Sequence, residues 1–524
     1  MLARCQSASL VGLDACPVTV EVDLAPGLPG LQLVGLPDAA IQESRERVRA
    51  ALRNSGFRGP LVRVVVNLAP ADLRKEGPSF DLPIALALLA ASGQLDAPLL
   101  KGLWCAGELG LDGSLRPCRG ILAVACLAAA RKATAVVVPE ANASEAALVP
   151  KLTVLSAHCL RDLVERLRQG PSQQTEPRGR AQTTASTACD QTTPDTNLIT
   201  GQPLAQTALG LAAAGGHHLL MVGPPGCGKT LLARHLANLL PPMTPQESLE
   251  ITRLQSIAGV LSPGEGLARK RPFRAPHHSC SAAALLGGGT VPRPGELSLA
   301  HGGVLFLDEL AEFPRRVLDQ LRQPLEEGVL WLSRARLKCA FPCQITLVAA
   351  TNPCPCGWFG DVDHPCCCSP LQRQRYWARI SGPLLDRLDL QLRLERLSSH
   401  AMRANLVAAG ETISPTAGHV TTDQIRGARE RMTARNPEGC LNALLNAPQL
   451  GSHGGLPSSV LDQWERIVTV RKLSARSAIR VLRVARTLAD LNDQAHIRSS
   501  DLAQALCFRS FDTDSTCFNN KAPA

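Results

Sequence analysis

The segment HHLLMVGPPGCGKTLLARHLANLL, residues 217 to 240, constrains the fold more than any other stretch of the chain. An apolar run predicts a strand, a glycine-rich turn follows, and an amphipathic run predicts a helix. Gly223, Gly228, Lys229 and Thr230 fill the pattern G-x-x-x-x-G-K-[ST]. Between them, Pro224, Pro225, Gly226 and Cys227 complete a loop whose backbone N–H groups can turn toward phosphate oxygens, with the helix N-terminus behind them. Lys229 is expected to reach the β- and γ-phosphates of ATP, and Thr230 to ligate Mg2+. Such a loop requires an α/β fold with a parallel sheet.

Further along, GGVLFLDEL is an apolar run that ends in two acids. It predicts a buried parallel strand releasing Asp308 and Glu309 at its C-terminal edge, where α/β sheets place ligands. Asp308 is the expected Mg2+ partner. Glu309 is the expected base for an attacking water. A third predicted strand, Ile345 to Thr351, ends in Asn352, a neutral polar residue suited to the γ-phosphate or the lytic water.

Around this core the 524 residues divide by composition. Residues 1–170 alternate short strands and helices: strands at Val18–Leu24, Leu31–Gly35, Leu61–Leu68 and Ala135–Pro139, helices near Asp38–Asn54 and Leu82–Ala91, and a tight turn at Asp112-Gly113. Residues 171–196 are rich in Gln, Thr, Ser and Pro and read as a flexible linker. The nucleotide region follows at 197–395, then a mainly helical region at 396–524, with helices expected at Thr421–Asn436, Ser458–Lys472, Ser474–Leu491 and Ser499–Leu506. No apolar run approaches the roughly 18 residues of a membrane span. The N-terminus does not look like a signal peptide, so a cytoplasmic location is expected. The formal charge of +10 allows a polyanionic partner without requiring one.

The strand ending in Asn352 resembles the sensor 1 strand of AAA+ ATPases, and SGPLLDRLDL resembles the segment carrying their arginine finger. By that resemblance Arg387 would project into the ATP of a neighbouring subunit. In SARSAIRVLRVARTLADL, the resemblance to the helix bearing sensor 2 makes Arg483 the first choice and Arg480 the second. The stretch PLEEGVLWLSRARLKCAFPCQITLVAATNP places a β-hairpin before Asn352, and RPFRAPHHSCSAAALLGGGTVPRPGELSLAHGG precedes the Asp308 strand. Together they are similar to inserts of magnesium chelatase motors and minichromosome maintenance helicases. Arg334, Arg336 and Lys338 on that hairpin would then contact DNA phosphates, or else they are solubilising charge. His277 and His278 receive no role.

In the first region, EVDLAPGLPGLQLVGLPDAAIQESRERVRAALRNSGF, KEGPSFDLPIAL and GELGLDGSLRP resemble the Lon-protease-like domain, of the ribosomal S5 domain 2 type, that precedes the motor in the YifB/ComM family of magnesium-chelatase-like AAA+ ATPases. The family implies a homo-hexamer that binds single-stranded or branched DNA and promotes branch migration, a helicase-type activity, in recombination during natural transformation. Two rivals come with it. An ATP-dependent protease would use Ser79, but Val124 stands where the Lon lysine aligns, and Lys132 lies roughly 12 Å further along the helix. A magnesium chelatase motor would resemble residues 197–510 without the Lon-like domain.

Most of the 19 Cys are scattered, but Cys354, Cys356, Cys366, Cys367 and Cys368 fall within fifteen residues. Two C-x-C pairs, 354/356 and 366/368, could supply four thiolates to a structural Zn2+, with His364 or Cys367 as substitutes. Reduced thiols without a metal are the other reading.

Overall fold

The computed structural model describes residues 2–59, 61–169, 202–262, 264–289, 292–334, 337–361, 363–396 and 420–509. The expected linker 171–196 lies outside the described residues, as does Arg336; the side chains of Arg334 and Lys338 are outside them too.

Residues 2–169 build a seven-stranded mixed sheet. Its centre is the long antiparallel pair Leu2–Val11 and Asp14–Ala25, in register from Leu2 opposite Asp23 to Val11 opposite Asp14. The first of these strands was not expected from its sequence, LARCQSASLV, which holds few β-branched residues. Its ten-residue ladder with a Val-rich partner supplies what intrinsic propensity does not. Helix Ala39–Asn54 starts where Asp38 accepts the Ile41 N–H at 2.8 Å. Helix Asp81–Ala91 is buried on every side, as an all-round apolar sequence demands.

The nucleotide region forms a five-stranded, all-parallel sheet in the order Phe273–Arg274, Val304–Leu307, Thr346–Thr351, Leu219–Val222, Leu390–Arg393. The three central strands are fully buried, which explains their uninterrupted apolar sequences. Helices Thr422–Arg435, Ser458–Arg471, Ala475–Leu491 and Ser499–Cys507 follow, within a residue or two of expectation. They share one hydrophobic core with one face of the sheet: Val481 and Leu488 belong to the cluster that holds Leu219, Val348 and Leu390. No helix among the described residues is long and apolar enough to cross a membrane.

The hairpin Val329–Arg334 and Leu337–Pro342 stands outside the large sheet. It packs on Leu13 of the N-terminal region and on helix Pro245–Ala258 of the nucleotide region: Cys339 and Phe341 share a small core with Leu13, Leu254 and Ile257. At the turn between the first two strands, Gly12 has a φ of 63°, and a Cβ there would stand 3.1 Å from Ala340 O. Arg253 adds bonds of 2.8 Å to Leu13 O and to Asp14 Oδ1.

Candidate functional site

Parallel pairing brings the C-terminal ends of three neighbouring strands to one edge. From the Leu219–Val222 strand the chain enters the loop 223–228, and helix Lys229–Leu239 begins immediately after it. Gly228 has a φ of 89°, the left-handed conformation that L side chains resist, whereas at Gly223 space is limiting: a Cβ would stand 2.8 Å from Leu394 O. The loop therefore needs glycine for two different reasons. Lys229 Nζ donates to Gly223 O (2.7 Å), Pro224 O (3.0 Å) and Asn352 Oδ1 (3.1 Å). Interposing the Thr346–Thr351 strand between the loop strand and the acidic strand is what brings Asn352 to the ammonium.

On the other side of that strand, Thr230 Oγ1 donates to Asp308 Oδ2 at 3.3 Å. The hydroxyl and carboxylate expected to share a Mg2+ are thus already neighbours, and their oxygen donors suit a hard cation. Asp308 Oδ1 also accepts the Glu309 N–H at 2.9 Å. Glu309 itself has a φ of 52°, a left-handed conformation costing about 1 to 2 kcal/mol for a residue with a Cβ. Its Oε2 lies 2.9 Å from His278 Nδ1. His278 packs edge-on to Phe313 and against His277, whose Nδ1 bonds the Ser279 hydroxyl at 2.8 Å. The contact between His278 and Glu309 was missed from sequence. No local spacing pairs a histidine in an irregular loop with an acid thirty-one positions later.

Arg387, Arg480 and Arg483 are brought together, but not here. All three line a cavity of about 640 Å³ that also includes His218, Gly303, Thr346 and Asp389, residues at or just before the N-terminal ends of the same parallel strands. The strands separate the two edges by roughly 13 Å at about 3.3 Å per residue. Arg387 is held by Glu326 Oε1 (2.7 Å), Arg322 O (3.0 Å) and Pro383 O (2.6 Å). Arg483 donates to Leu445 O at 2.6 Å. Arg480 Nε sits 3.3 Å from Asp389 Oδ1, while its Nη1 has no partner among the described residues. Burial alone would raise the Asp389 carboxyl, but the hydrogen bond and charge of His217, then the charge of Arg480, hold it far below the usual carboxylate range.

The described parts of the hairpin leave Trp331 59% exposed on its outer face. After Asn352, the sulfurs of Cys354, Cys356, Cys366 and Cys368 gather into one group. Cys367 is exposed and His364 stacks on Trp358, so neither expected substitute joins it.

Comparison with known proteins gives matches along nearly the whole chain. Family models described as magnesium chelatase, subunit ChlI, match residues 195–402; as subunit ChlI of Mg-chelatase, residues 20–142; and as magnesium chelatase, subunit ChlI C-terminal, residues 416–509. The chain is 42% identical over 508 residues to "Competence protein ComM" of Haemophilus influenzae, covering 97% of both chains. It is 40% identical over 511 residues to "Uncharacterized protein YifB" of Escherichia coli, covering 98% of this chain and 97% of that one. Similarity extends to "Uncharacterized protein Rv2897c" of Mycobacterium tuberculosis, 43% identical over 512 residues, covering 97% of this chain and 98% of the relative. The chain belongs to the YifB/ComM family of magnesium-chelatase-like proteins.

Proposed function

From that membership we propose that the chain is an ATP-hydrolysing AAA+ motor, assembled as a homo-hexamer, that acts on single-stranded or branched DNA and drives branch migration during recombination. The observation that carries the ATPase part is the convergence of Lys229, Asn352, Thr230, Asp308 and Glu309 on one sheet edge. In this reading the loop and Lys229 bind the phosphates, and Thr230 and Asp308 hold Mg2+. Glu309 takes the proton of the attacking water, and Asn352 orients that water or the γ-phosphate. Mg2+ held there would supply charge neutralisation of the phosphate groups.

The placement of Arg387, Arg480 and Arg483 on the far edge supports an oligomer. Arginines there cannot reach the loop of their own chain, so a role for them at ATP requires the loop of a second copy. The DNA part rests on the likeness to a relative named for competence, together with Trp331, which the hairpin leaves exposed.

The N-terminal region reads as a Lon-protease-like domain without peptidase chemistry. Val124, at the position aligned to the Lon lysine, is buried among Ala8, Trp104 and Leu122, and its apolar side chain cannot serve as a base.

ATP turnover measured alone and with single-stranded, duplex and four-way-junction DNA tests the proposal, followed by junction dissociation. Stimulation by junction DNA with ATP-dependent dissociation is expected. Turnover indifferent to every DNA would overturn the DNA reading and favour a chelatase-like remodelling motor, the activity for which the matching family models are named.

A further inference from the structure

Beyond the nucleotide site, Cys354, Cys356, Cys366 and Cys368 bring their four sulfurs within 4.8 Å of one another. Cys354 Sγ lies 3.3 Å from Cys356 Sγ and 3.6 Å from Cys366 Sγ, and the last two are 3.6 Å apart. Disulfide sulfurs stand at about 2.05 Å. These are free thiols around a common centre. A tetrahedral zinc with Zn–S of about 2.3 Å spaces its sulfurs roughly 3.8 Å apart, a little more than the separations among Cys354, Cys356 and Cys366 and within the 4.8 Å that bounds the set of four.

The backbone is arranged for sulfur that carries charge. Cys356 N–H points at Cys368 Sγ and Cys368 N–H at Cys366 Sγ, both at 3.4 Å. The first of these bonds joins the two C-x-C pairs across eleven intervening residues. The second turns the chain into Ser369, which caps helix Pro370–Trp377 reciprocally with Gln372.

The same loop is pressed onto the nucleotide site. Asn352 precedes Cys354 by two residues. Gly357, at a φ of 86°, lies so close to the phosphate loop that a Cβ would stand 2.9 Å from Pro225 Cδ. Trp377 Nε1 donates to Pro353 O at 3.0 Å, tying the capped helix back to the start of the loop.

We propose that Cys354, Cys356, Cys366 and Cys368 bind one structural Zn2+ that closes residues 354–368 into a knuckle and holds Asn352 against Lys229. Four thiolates fill a tetrahedral ion and leave no open position, so the site orders the chain and performs no chemistry. Soft sulfur donors select zinc over the Mg2+ expected at Asp308. Entry of the ion displaces the thiol protons to solvent. The metal site stands on the sulfur geometry alone; its effect on ATP rests on the ATPase reading.

The test uses the full chain purified under reducing conditions without chelator. Elemental analysis is expected to give about one zinc per chain and no iron, with Cys366→Ser losing the zinc and Cys367→Ser keeping it. Stripping the zinc, with Mg2+ then supplied in excess, is expected to weaken ATP binding, and adding zinc back to restore it. Should Cys366→Ser fail to fold, Co2+ titrated into the stripped wild-type chain gives the intense visible bands of tetrahedral cobalt thiolate, removed by one equivalent of Zn2+. A chain that carries iron, or carries no zinc and takes up neither metal, overturns the site. So does a Cys367→Ser variant that loses zinc as Cys366→Ser does. Unchanged ATP affinity on stripping overturns the link to Asn352, whereas zinc binding by a chain that binds no ATP at all overturns only the ATPase reading.

Discussion

His278 Nδ1 lies 2.9 Å from Glu309 Oε2, so the carboxylate expected to activate water is held by a histidine from a loop on the far side of the acidic strand. Glu309 gains a fixed orientation from this contact and from its left-handed backbone. In the proposed reading His278 would act on the chemistry through Glu309, as a positioning residue. Replacing it with Ala is expected to lower kcat about tenfold or more while leaving ATP affinity unchanged, with His278→Gln recovering part of the loss. A shift in affinity without a shift in kcat, measured by nucleotide titration beside steady-state turnover, would remove the assignment.

Glu309→Gln is expected to bind ATP and lose about 10² to 10⁴ in turnover, the range for a lost general base. Lys229→Ala should lose binding itself, because its ammonium is the charge at the mouth of the loop. Equilibrium binding of a fluorescent ATP analogue separates the two. Normal hydrolysis by Glu309→Gln would move the base elsewhere.

Mixing distinguishes a shared site from a self-contained one. Arg387→Ala and Lys229→Ala are each expected to be inactive in hydrolysis, but a mixture pairs an intact loop with an intact Arg387 at some interfaces and should regain part of the activity. The mixture also controls for the ion pair with the half-exposed Glu326 that Arg387→Ala removes. A mixture as inactive as its components would contradict an intersubunit role.

Stability is expected to fall as pH drops from about 6.5 to 4. Burial in the cavity wall lowers His218 to about 4, and its Nδ1 accepts the Leu347 N–H at 3.1 Å, a bond that needs the neutral ring. In that window the unfolded chain, with a histidine near 6.5, binds the proton that the folded chain refuses, so stability rises with pH. His218→Gln, which keeps an acceptor but does not titrate, should flatten the slope in denaturant melts taken across the range. An unchanged slope would place the pH dependence on other groups.

Much of the fold was legible because local pattern dictates it. The apolar runs before Gly223, Asp308 and Asn352 are short and bounded by turn residues, as buried parallel strands are, and the C-terminal helices were bounded by residues such as Thr421 and Ser474, whose side chains cap them. Strand Leu2–Val11 was not legible, since its reason for being a strand is its partner.

Sequence alone determined that this chain has a phosphate loop, an acidic pair at a strand end and a polar residue after a third strand. Each is a short motif whose backbone conformation and chemistry are set by neighbours in the chain. Tertiary structure decided what those motifs meet. Strand order set Asn352 beside Lys229, and chain crossings brought His278 to Glu309 and gathered four of five clustered cysteines around one centre. Arg387, Arg480 and Arg483 were sent to the opposite edge. Contacts between residues far apart in sequence depend on how whole elements pack, and no local spacing encodes that.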